Sequence, residues 1–229
     1  MSICLVKVEK KSIKNRCIYS HTSTLFDPWL ITNIRRFFQK MIQRLLAGID
    51  NGWLKVLTDD DMGPLLLDVI NKLKLVPEEK ITPPVGDIFN FARFTRWGNI
   101  KVVIVGQDPY PNAGDAHGLA FSSKSKKIPA SLKNIYKCLI RQDLVRAMPK
   151  TSDLSCWAEQ GVLLLNTALT TEIGSRNKHA SIWKPFTDQL IKKLSLDSSA
   201  CAGDSLIYML WGLPACKKEV LIDDDCVIY

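Results

Sequence analysis

Short, uninterrupted apolar runs constrain this chain more than any other feature of its sequence. Four such β-type runs lie at 101–105, 161–165, 205–211 and 226–229. Helix-like segments near 131–142 and 183–195 separate them. Short continuous apolar strands that alternate with helices are typical of a parallel sheet covered on both faces. We therefore predict an α/β fold with a short central parallel β-sheet of about four strands, the last of them incomplete.

The chain ahead of the first strand has helical periodicity. Asp27-Pro28 can start a helix, because Asp suits the N-cap and Pro suits the first helical position. Apolar residues then recur at helical spacing up to Gly48, which is a stop signal. A second helix is predicted over Pro64 to Leu75, and the proline-containing stretch 76–86 is predicted to be a loop.

The net charge of the 229 residues is +8 and is unevenly placed. Residues 1–50 and residues 101–150 each hold nine Lys or Arg against three Asp or Glu. We interpret residues 1–24 as a basic N-terminal tail and residues 25–229 as a single domain. A positive excess favours an anionic partner such as nucleic acid or a membrane surface. No apolar run reaches the roughly 18 residues that a membrane helix needs, so a transmembrane segment is excluded.

Seven cysteines are present, an odd number with no Cys-x-x-Cys pair. Neither a disulfide framework nor a zinc site is therefore expected. We interpret the cysteines as reduced, mostly buried thiols of an intracellular protein of the nucleus or cytoplasm, with an organelle left open.

Unusual residues follow two of the predicted strands, where ligands bind in parallel sheets. The blocks are Lys101-Val-Val-Ile-Val-Gly-Gln-Asp-Pro-Tyr110, His117-Gly-Leu-Ala-Phe121, Ile128-Pro-Ala-Ser-Leu-Lys-Asn-Ile-Tyr136, Gly161-Val-Leu-Leu-Leu-Asn-Thr-Ala-Leu-Thr170, His179-Ala-Ser-Ile-Trp183 with Phe186-Thr-Asp188, and Leu210-Trp-Gly212. In this order, over residues 97–229, they resemble the uracil-DNA glycosylases of family 1.

The resemblance implies a base-flipping repair enzyme that hydrolyses the N-glycosidic bond of deoxyuridine. Asp108 would orient the attacking water and face the sugar cation, while the N–H groups of Gln107 and Asp108 would point at a uracil carbonyl oxygen. The amide of Asn166 offers a donor beside an acceptor and so separates uracil from cytosine. Phe121 would stack under the base, and Tyr110 would exclude the methyl group of thymine.

The same resemblance assigns supporting and DNA-binding residues. His117 would support the site from behind rather than act as the principal electrophile. The residues expected near the DNA backbone are Lys124, Lys126, Lys127, Ser131 and His179. The implied partner is uracil-containing DNA, single- or double-stranded, bound by a monomer, with no membrane, no metal and no cofactor.

The sequence departs from the family pattern at three places. Pro111 stands where the best-known members have His, and Leu213 stands where the family usually has Ser. The residues 226–229 end the sequence before the family's His-Pro-Ser-Pro-Leu-Ser loop, whose His stabilises the uracil anion and whose Leu wedges into the base stack. Because losing one such donor typically costs about 10²–10³ in rate, we expect reduced activity.

Three other functions are weighed against this one. A catalytically impaired DNA- or protein-binding module would keep the pocket but release no uracil. A metal-dependent nuclease using Asp108 is poorly supported, since the motif loops offer no second carboxylate and no His-rich ligand set. A zinc base deaminase is weaker still, because the paired cysteines and the His-x-Glu element are absent.

Overall fold

The computed structural model describes residues 39–201 and 205–229. The strands in these residues are β1 (Ile81–Thr82), β2 (Val102–Gly106), β3 (Val162–Asn166), β4 (Thr171–Glu172), β5 (Ile207–Leu210) and β6 (Val227–Ile228). A parallel sheet with the order β3-β2-β5-β6 forms the centre, and β1 pairs antiparallel with β4 at its side. The predicted α/β class with a four-stranded parallel sheet is confirmed.

Helices flank this sheet. The described part of the first helix, α1, covers 39–46, and the others are α2 (Asn51–Leu57), α3 (Met62–Leu73), α4 (Asn90–Phe94), α5 (Ala130–Arg141), α6 (Ser155–Ala158), α7 (Ala180–Leu196) and α8 (Leu213–Cys216). The long helices α3 and α7 pack on each other, while the short helices α4 and α6 pack on β3. No helix in the described part of the chain is long and apolar enough to cross a membrane.

The central strand β2 explains why its run is apolar throughout. Val103, Ile104 and Val105 are buried, because β2 has a parallel neighbour on each side and helices over the sheet. The register pairs Gly106 at the carboxyl end of β2 with Asn166 at the carboxyl end of β3. This pairing brings the loops that follow the two strands to the same edge of the sheet.

The helical layer ahead of the sheet is held by local capping and by one buried aromatic anchor. Gly48 has a φ of +73°, which suits the predicted helix stop. Asp50 then caps α2, accepting hydrogen bonds at Oδ1 from the N–H groups of Gly52 (2.8 Å) and Trp53 (3.1 Å). The fully buried Trp53 donates from Nε1 to the carbonyl of Thr95 at 2.7 Å, which ties α2 to the segment before β2.

Several sequence predictions need adjustment. The helix predicted over Pro64 to Leu75 lies two residues earlier, since Oδ1 of Asp59 accepts from the N–H of Met62 at its start. The β1–β4 pair was not predicted, because β1 lies inside the proline-rich stretch. The cysteines in the described residues are exposed or half-buried, so the expectation of buried thiols is wrong for them. The predicted tail 1–24 and the helix start at Asp27-Pro28 lie outside the described residues.

Candidate active site

The loops after β2 and β3 are joined by main-chain hydrogen bonds just beyond the sheet. The N–H of Thr167 donates to the carbonyl of Gly106 at 3.0 Å, and the N–H of Ala168 donates to the carbonyl of Gln107 at 2.9 Å. The hydroxyl of Thr167 also donates to the Gln107 carbonyl, at 2.8 Å. This joint fixes the start of the Gln107–Pro111 loop beside Asn166.

A cavity of about 550 Å³ opens at this edge, and we call it the strand-end pocket. Its walls come from the loops after β2, β3, β4 and β5 and from the start of α5. The lining residues are Gln107, Asp108, Pro109, Tyr110, Pro111, Asn112, Asp115, Phe121, Ser125, Lys127, Ile128, Pro129, Ala130, Ser131, Asn166, Arg176, Trp211, Gly212 and Pro214. Every residue predicted to bind uracil, and the Asp108 predicted to orient the attacking water, therefore line one pocket.

Asp108 is half-buried in this pocket and is held at one oxygen. Its Oδ2 accepts a hydrogen bond of 2.6 Å from the N–H of Asn177. Its Oδ1 makes no hydrogen bond within the described residues and is available to a water molecule. Burial raises the pKa of Asp108 above the ordinary carboxyl value, while the Asn177 N–H and the charge of Arg176 oppose that rise.

The main chain at the start of this loop has spare donors. Within the part of the chain that the structure describes, the N–H groups of Gln107 and Asp108 donate to no protein acceptor. Two adjacent free N–H groups at the edge of a pocket can stabilise an oxygen on which negative charge develops. This arrangement is compatible with the role expected for them.

Asn166 is 7% exposed and lines the strand-end pocket, and its side-chain amide makes no hydrogen bond to any other described residue. A ligand in that pocket can therefore meet this amide. Gly106 makes room for this amide, since a Cβ there would collide with Oδ1 of Asn166 and lie 3.0 Å from Cβ of Ala120. A glycine at position 106 therefore leaves the Asn166 amide its place at the end of β3, beside the pocket.

Two aromatic residues of the pocket are held against each other. Phe121 has a φ of +63°, and its ring meets that of Trp211 edge to face with centroids 5.4 Å apart. The hydroxyl of Tyr110 donates to the carbonyl of Phe121 at 3.2 Å. Burial raises the pKa of Tyr110 to about 12, so this hydroxyl remains protonated at neutral pH. The positive φ of Phe121 is a strained backbone conformation, and such strain is common at ligand sites.

His117 lies behind the pocket rather than in its wall. Its side chain is 2% exposed, and Nε2 is 2.7 Å from the hydroxyl of Ser122, which also accepts from the N–H of Leu154 at 2.8 Å. The carbonyl of His117 accepts from the amide of Asn90 at 2.8 Å. Burial lowers the pKa of His117, so the ring is neutral at pH 7. These contacts fit a supporting position.

The predicted DNA-binding residues are placed differently from one another. Lys127 and Ser131 line the strand-end pocket, and Lys126 is exposed nearby. Lys124 instead forms an ion pair with Asp87 at 3.2 Å and does not line that pocket. His179 is only 2% exposed, so its side chain is not at the surface and does not fit the direct contact with DNA that the sequence suggested.

Three residues of the site were missed by sequence reasoning. Arg176 supplies a positive charge to the pocket, Asn177 supplies the N–H that holds Asp108, and Trp211 supports Phe121. Each lies next to or within a block that signalled the family, so proximity to a motif was the available signal. The described residues contain no cluster of three or more His, Cys, Asp or Glu side chains that could hold a metal ion.

Comparison with known proteins identifies the class of this site. Residues 94–222 match the family model described as the Uracil DNA glycosylase superfamily. The uracil-DNA glycosylase of Idiomarina loihiensis is 41% identical over 181 residues, which cover 77% of this chain and 82% of the relative. That of Klebsiella pneumoniae subsp. pneumoniae is 46% identical over 178 residues, covering 75% of this chain and 74% of the relative.

A solved structure shows the same similarity. The crystal structure of mimivirus uracil-DNA glycosylase matches with a TM-score of 0.69 and 30% identity, covering 84% of this chain and 72% of that one. A parallel sheet with its pocket at the strand carboxyl ends and this superfamily match define a DNA glycosylase fold. The chain belongs to the uracil-DNA glycosylase family.

Proposed function

We propose that this protein removes uracil from DNA by hydrolysing the N-glycosidic bond of deoxyuridine, as the first step of base excision repair. One observation carries the proposal beyond family membership. The ionisable Asp108 and the side-chain amide of Asn166 line one pocket at the ends of neighbouring strands. One group suits a cationic sugar and the other suits an uncharged base with a donor beside an acceptor.

The proposed reaction breaks the bond between C1′ of the sugar and N1 of uracil. Uracil leaves as an anion, whose charge the N–H groups of Gln107 and Asp108 stabilise at a carbonyl oxygen. A water held at Oδ1 of Asp108 adds to C1′, and the carboxylate opposes the positive charge on the sugar. The oxygen of that water becomes the hydroxyl of the abasic sugar, and its proton leaves by way of Asp108.

Base selection is proposed to follow from three side chains. The amide of Asn166 pairs with N3–H and O4 of uracil, a pattern that cytosine reverses. The ring of Phe121 stacks on the flipped base, and Tyr110 occupies the space that the thymine methyl would need. Mismatched partners would each cost about 1–3 kcal/mol, which supports discrimination.

The proposed substrate is uracil-containing DNA, in single-stranded or flipped-out duplex form, bound by a monomer. Lys127 and Ser131 lie at the pocket, where a phosphate of the flipped nucleotide can meet them. We retain Lys126 as a neighbouring surface contact. Lys124 and His179 are not retained, because one is paired with Asp87 and the other is buried.

A single-turnover assay tests the proposal. The protein, produced in a host without its own uracil-DNA glycosylase, is mixed in excess with a single-stranded oligonucleotide holding one deoxyuridine, and free uracil is measured with a chelator present. Release from this substrate and not from matched thymine or cytosine oligonucleotides is expected. Asp108→Asn should abolish release, whereas the remote exposed Asp68→Asn should not.

The assay also separates the competing functions. A binding module without turnover would retain the oligonucleotide and release no uracil. A metal-dependent activity would disappear in the chelator. Full activity of Asp108→Asn would contradict the assignment of the water-orienting carboxylate.

A further inference from the structure

The segment 173–178, between β4 and α7, holds Asp108 in place. Asn177 in this segment has a φ of +58°, which turns its N–H toward Oδ2 of Asp108 at 2.6 Å. A short bond from a main-chain donor to a carboxylate fixes the carboxylate orientation. The direction of this one N–H therefore decides where Oδ1 points in the strand-end pocket.

The hydroxyl of Thr171 ties the segment together from β4. It donates to the carbonyl of Ser175 at 2.8 Å and accepts from the N–H of Lys178 at 3.1 Å. The N–H of Gly174 reaches across to the carbonyl of Pro111 at 2.9 Å. The segment is therefore braced against the loop that carries Asp108, and its far end depends on the residue that starts α7.

That residue is His179, the N-cap of α7, and its ring is anchored in the interior. Nδ1 of His179 lies 2.9 Å from the hydroxyl oxygen of Thr170, which also accepts from Nε1 of Trp183 at 2.7 Å. His179 is 2% exposed, and both Thr170 and Trp183 are fully buried. Because an indole N–H can only donate, the hydroxyl hydrogen of Thr170 is free to bond Nδ1.

The other ring nitrogen of His179, Nε2, is on the side of Glu172. Nε2 is buried without a hydrogen-bond partner among the described residues, and Oε1 of Glu172 is 3.7 Å away. Burial lowers the pKa of His179, although the nearby charge of Glu172 opposes this. A neutral ring that bonds Thr170 through Nδ1 is a structural anchor at the end of the segment.

We infer that His179 is a positioning residue for Asp108. Its bond to Thr170 fixes the end of the segment 173–178, and the segment in turn directs the N–H of Asn177 at the carboxylate. The inference rests on the proposed function, since it concerns the same reaction. It assigns to His179 an effect on the chemical step and none on DNA affinity.

The test compares His179→Ala with His179→Asn in single turnover and in DNA binding. His179→Ala should lower the rate at saturating protein by about 10-fold to 10²-fold, since a displaced catalytic group costs rates of this order. Its dissociation constant for uracil-containing DNA and the salt dependence of that constant should not change. His179→Asn, whose amide can occupy the place of Nδ1, should have most of the wild-type rate. The separate variant Thr170→Ser should also keep most of the rate, because serine retains the hydroxyl that bonds His179.

Titration of the Asp108 carboxyl by carbon NMR gives a readout that needs no catalysis. Loss of the Asn177 bond should raise the pKa of Asp108 in His179→Ala, because that bond lowers it in the wild type. Arg176, whose charge also lowers the pKa of Asp108, lies in the same segment, so its displacement would raise that pKa in the same direction. Ile70→Val, a buried change in α3 remote from the site, controls for general loosening of the fold.

Each outcome distinguishes the inference from the proposed function. If wild type releases no uracil but the Asp108 titration still shifts in His179→Ala, the function fails and the positioning role stands. If His179→Ala changes DNA affinity and its salt dependence instead of the rate, or leaves the titration unmoved, the positioning role is overturned. Should His179→Ala not fold, His179→Gln replaces it, since its amide extends past the position that bonds Thr170.

Discussion

Asp108 experiences two opposed influences that set its chemistry. Burial in the strand-end pocket raises its pKa, whereas the N–H of Asn177 and the charge of Arg176 oppose that rise. A carboxylate that is partly shielded from water attracts a developing cation more strongly than a fully solvated carboxylate does, because the local dielectric is lower. The group must nevertheless be ionised to act, so the pH at which it ionises limits the reaction.

The raised pKa predicts an acid limb in the pH profile of uracil release. The rate in single turnover should fall as pH decreases through the pKa of Asp108, which lies above the ordinary Asp pKa of about 3.9.

The raised pKa of Asp108 also predicts the sign of a stability change. A carboxyl with a raised folded pKa binds its proton more tightly in the folded state, so its contribution to stability falls as pH rises past the unfolded value.

Asp108→Asn should therefore melt at a higher temperature than wild type at pH 7, with a difference that shrinks toward pH 4. Thermal unfolding followed by circular dichroism at both pH values measures it. Asp68→Asn, an exposed change on α3, is the control and should show no such pattern. A variant Asp108→Asn that is less stable than wild type at pH 7 would show that burial is not the dominant influence.

Gly106 offers a test of the pocket that removes no functional group. A methyl group at this position would collide with Oδ1 of Asn166, so Gly106→Ala should displace the amide. We expect kcat/KM for uracil release to fall about 10-fold to 10²-fold, the cost of roughly one to two mismatched hydrogen bonds. Gly86→Ala is the matched control, since nothing lies within 4 Å of its added Cβ. Equal rates for both variants would contradict the role of the Asn166 amide.

The loop from His117 to Ser122 acts as one element that carries Phe121 into the pocket. The N–H of Ala120 joins it to β3 through the carbonyl of Leu164 at 3.0 Å. Gly118 has a φ of +87°, and a Cβ there would collide with the carbonyl of Asp87. Ser122 closes the element, bonding His117 on one side and the N–H of Leu154 on the other.

Ser122→Ala should destabilise the protein by about 1–3 kcal/mol, because it leaves the buried N–H of Leu154 and the ring of His117 without partners. Urea unfolding at pH 7 measures the change, and Ser181→Ala, on the exposed face of α7, should stay within about 0.5 kcal/mol of wild type. Uracil release should also fall, because Phe121 precedes the altered residue. If Ser122→Ala lowers the free energy of unfolding no more than Ser181→Ala does, the loop from His117 to Ser122 is held by its other contacts.

The elements that the sequence predicts are those decided by local pattern. β2, β3 and α5 lie within a residue of their predicted bounds, because continuous apolar runs and helical periodicity are local signals. The pairing of β1 with β4 depends on contacts between distant parts of the chain, which no local pattern encodes. The burial of His179 has the same cause, since Thr170 and Trp183 surround it only after α7 has packed.

At the scale of the molecule, the fold decides which lysines of the basic stretch 101–150 lie at the strand-end pocket. This basic stretch holds Lys124, Lys126 and Lys127, which the sequence predicts near the DNA backbone. The structure gives these lysines different surroundings, because Lys127 lies in the wall of the strand-end pocket and Lys124 is paired with Asp87. Asp87 competes with DNA for Lys124, whereas Lys127 has no ion-pair partner among the described residues, so Lys127 is the better placed of the two to replace counterions on a phosphate.

Lys127→Ala should therefore weaken binding to single-stranded uracil DNA and reduce its dependence on salt, whereas Lys124→Ala should do neither. For single strands, each lost phosphate contact lowers the slope of log affinity against log salt by about 0.7. Fluorescence anisotropy with a labelled oligonucleotide, measured over a series of salt concentrations on the inactive Asp108→Asn background, gives both slopes without turnover. The two variants carry the same net charge, so a general electrostatic effect would change them equally. Equal slopes for the two variants would mean that DNA responds to the total charge of the molecule. A smaller slope for Lys127→Ala than for Lys124→Ala would place a phosphate beside Lys127.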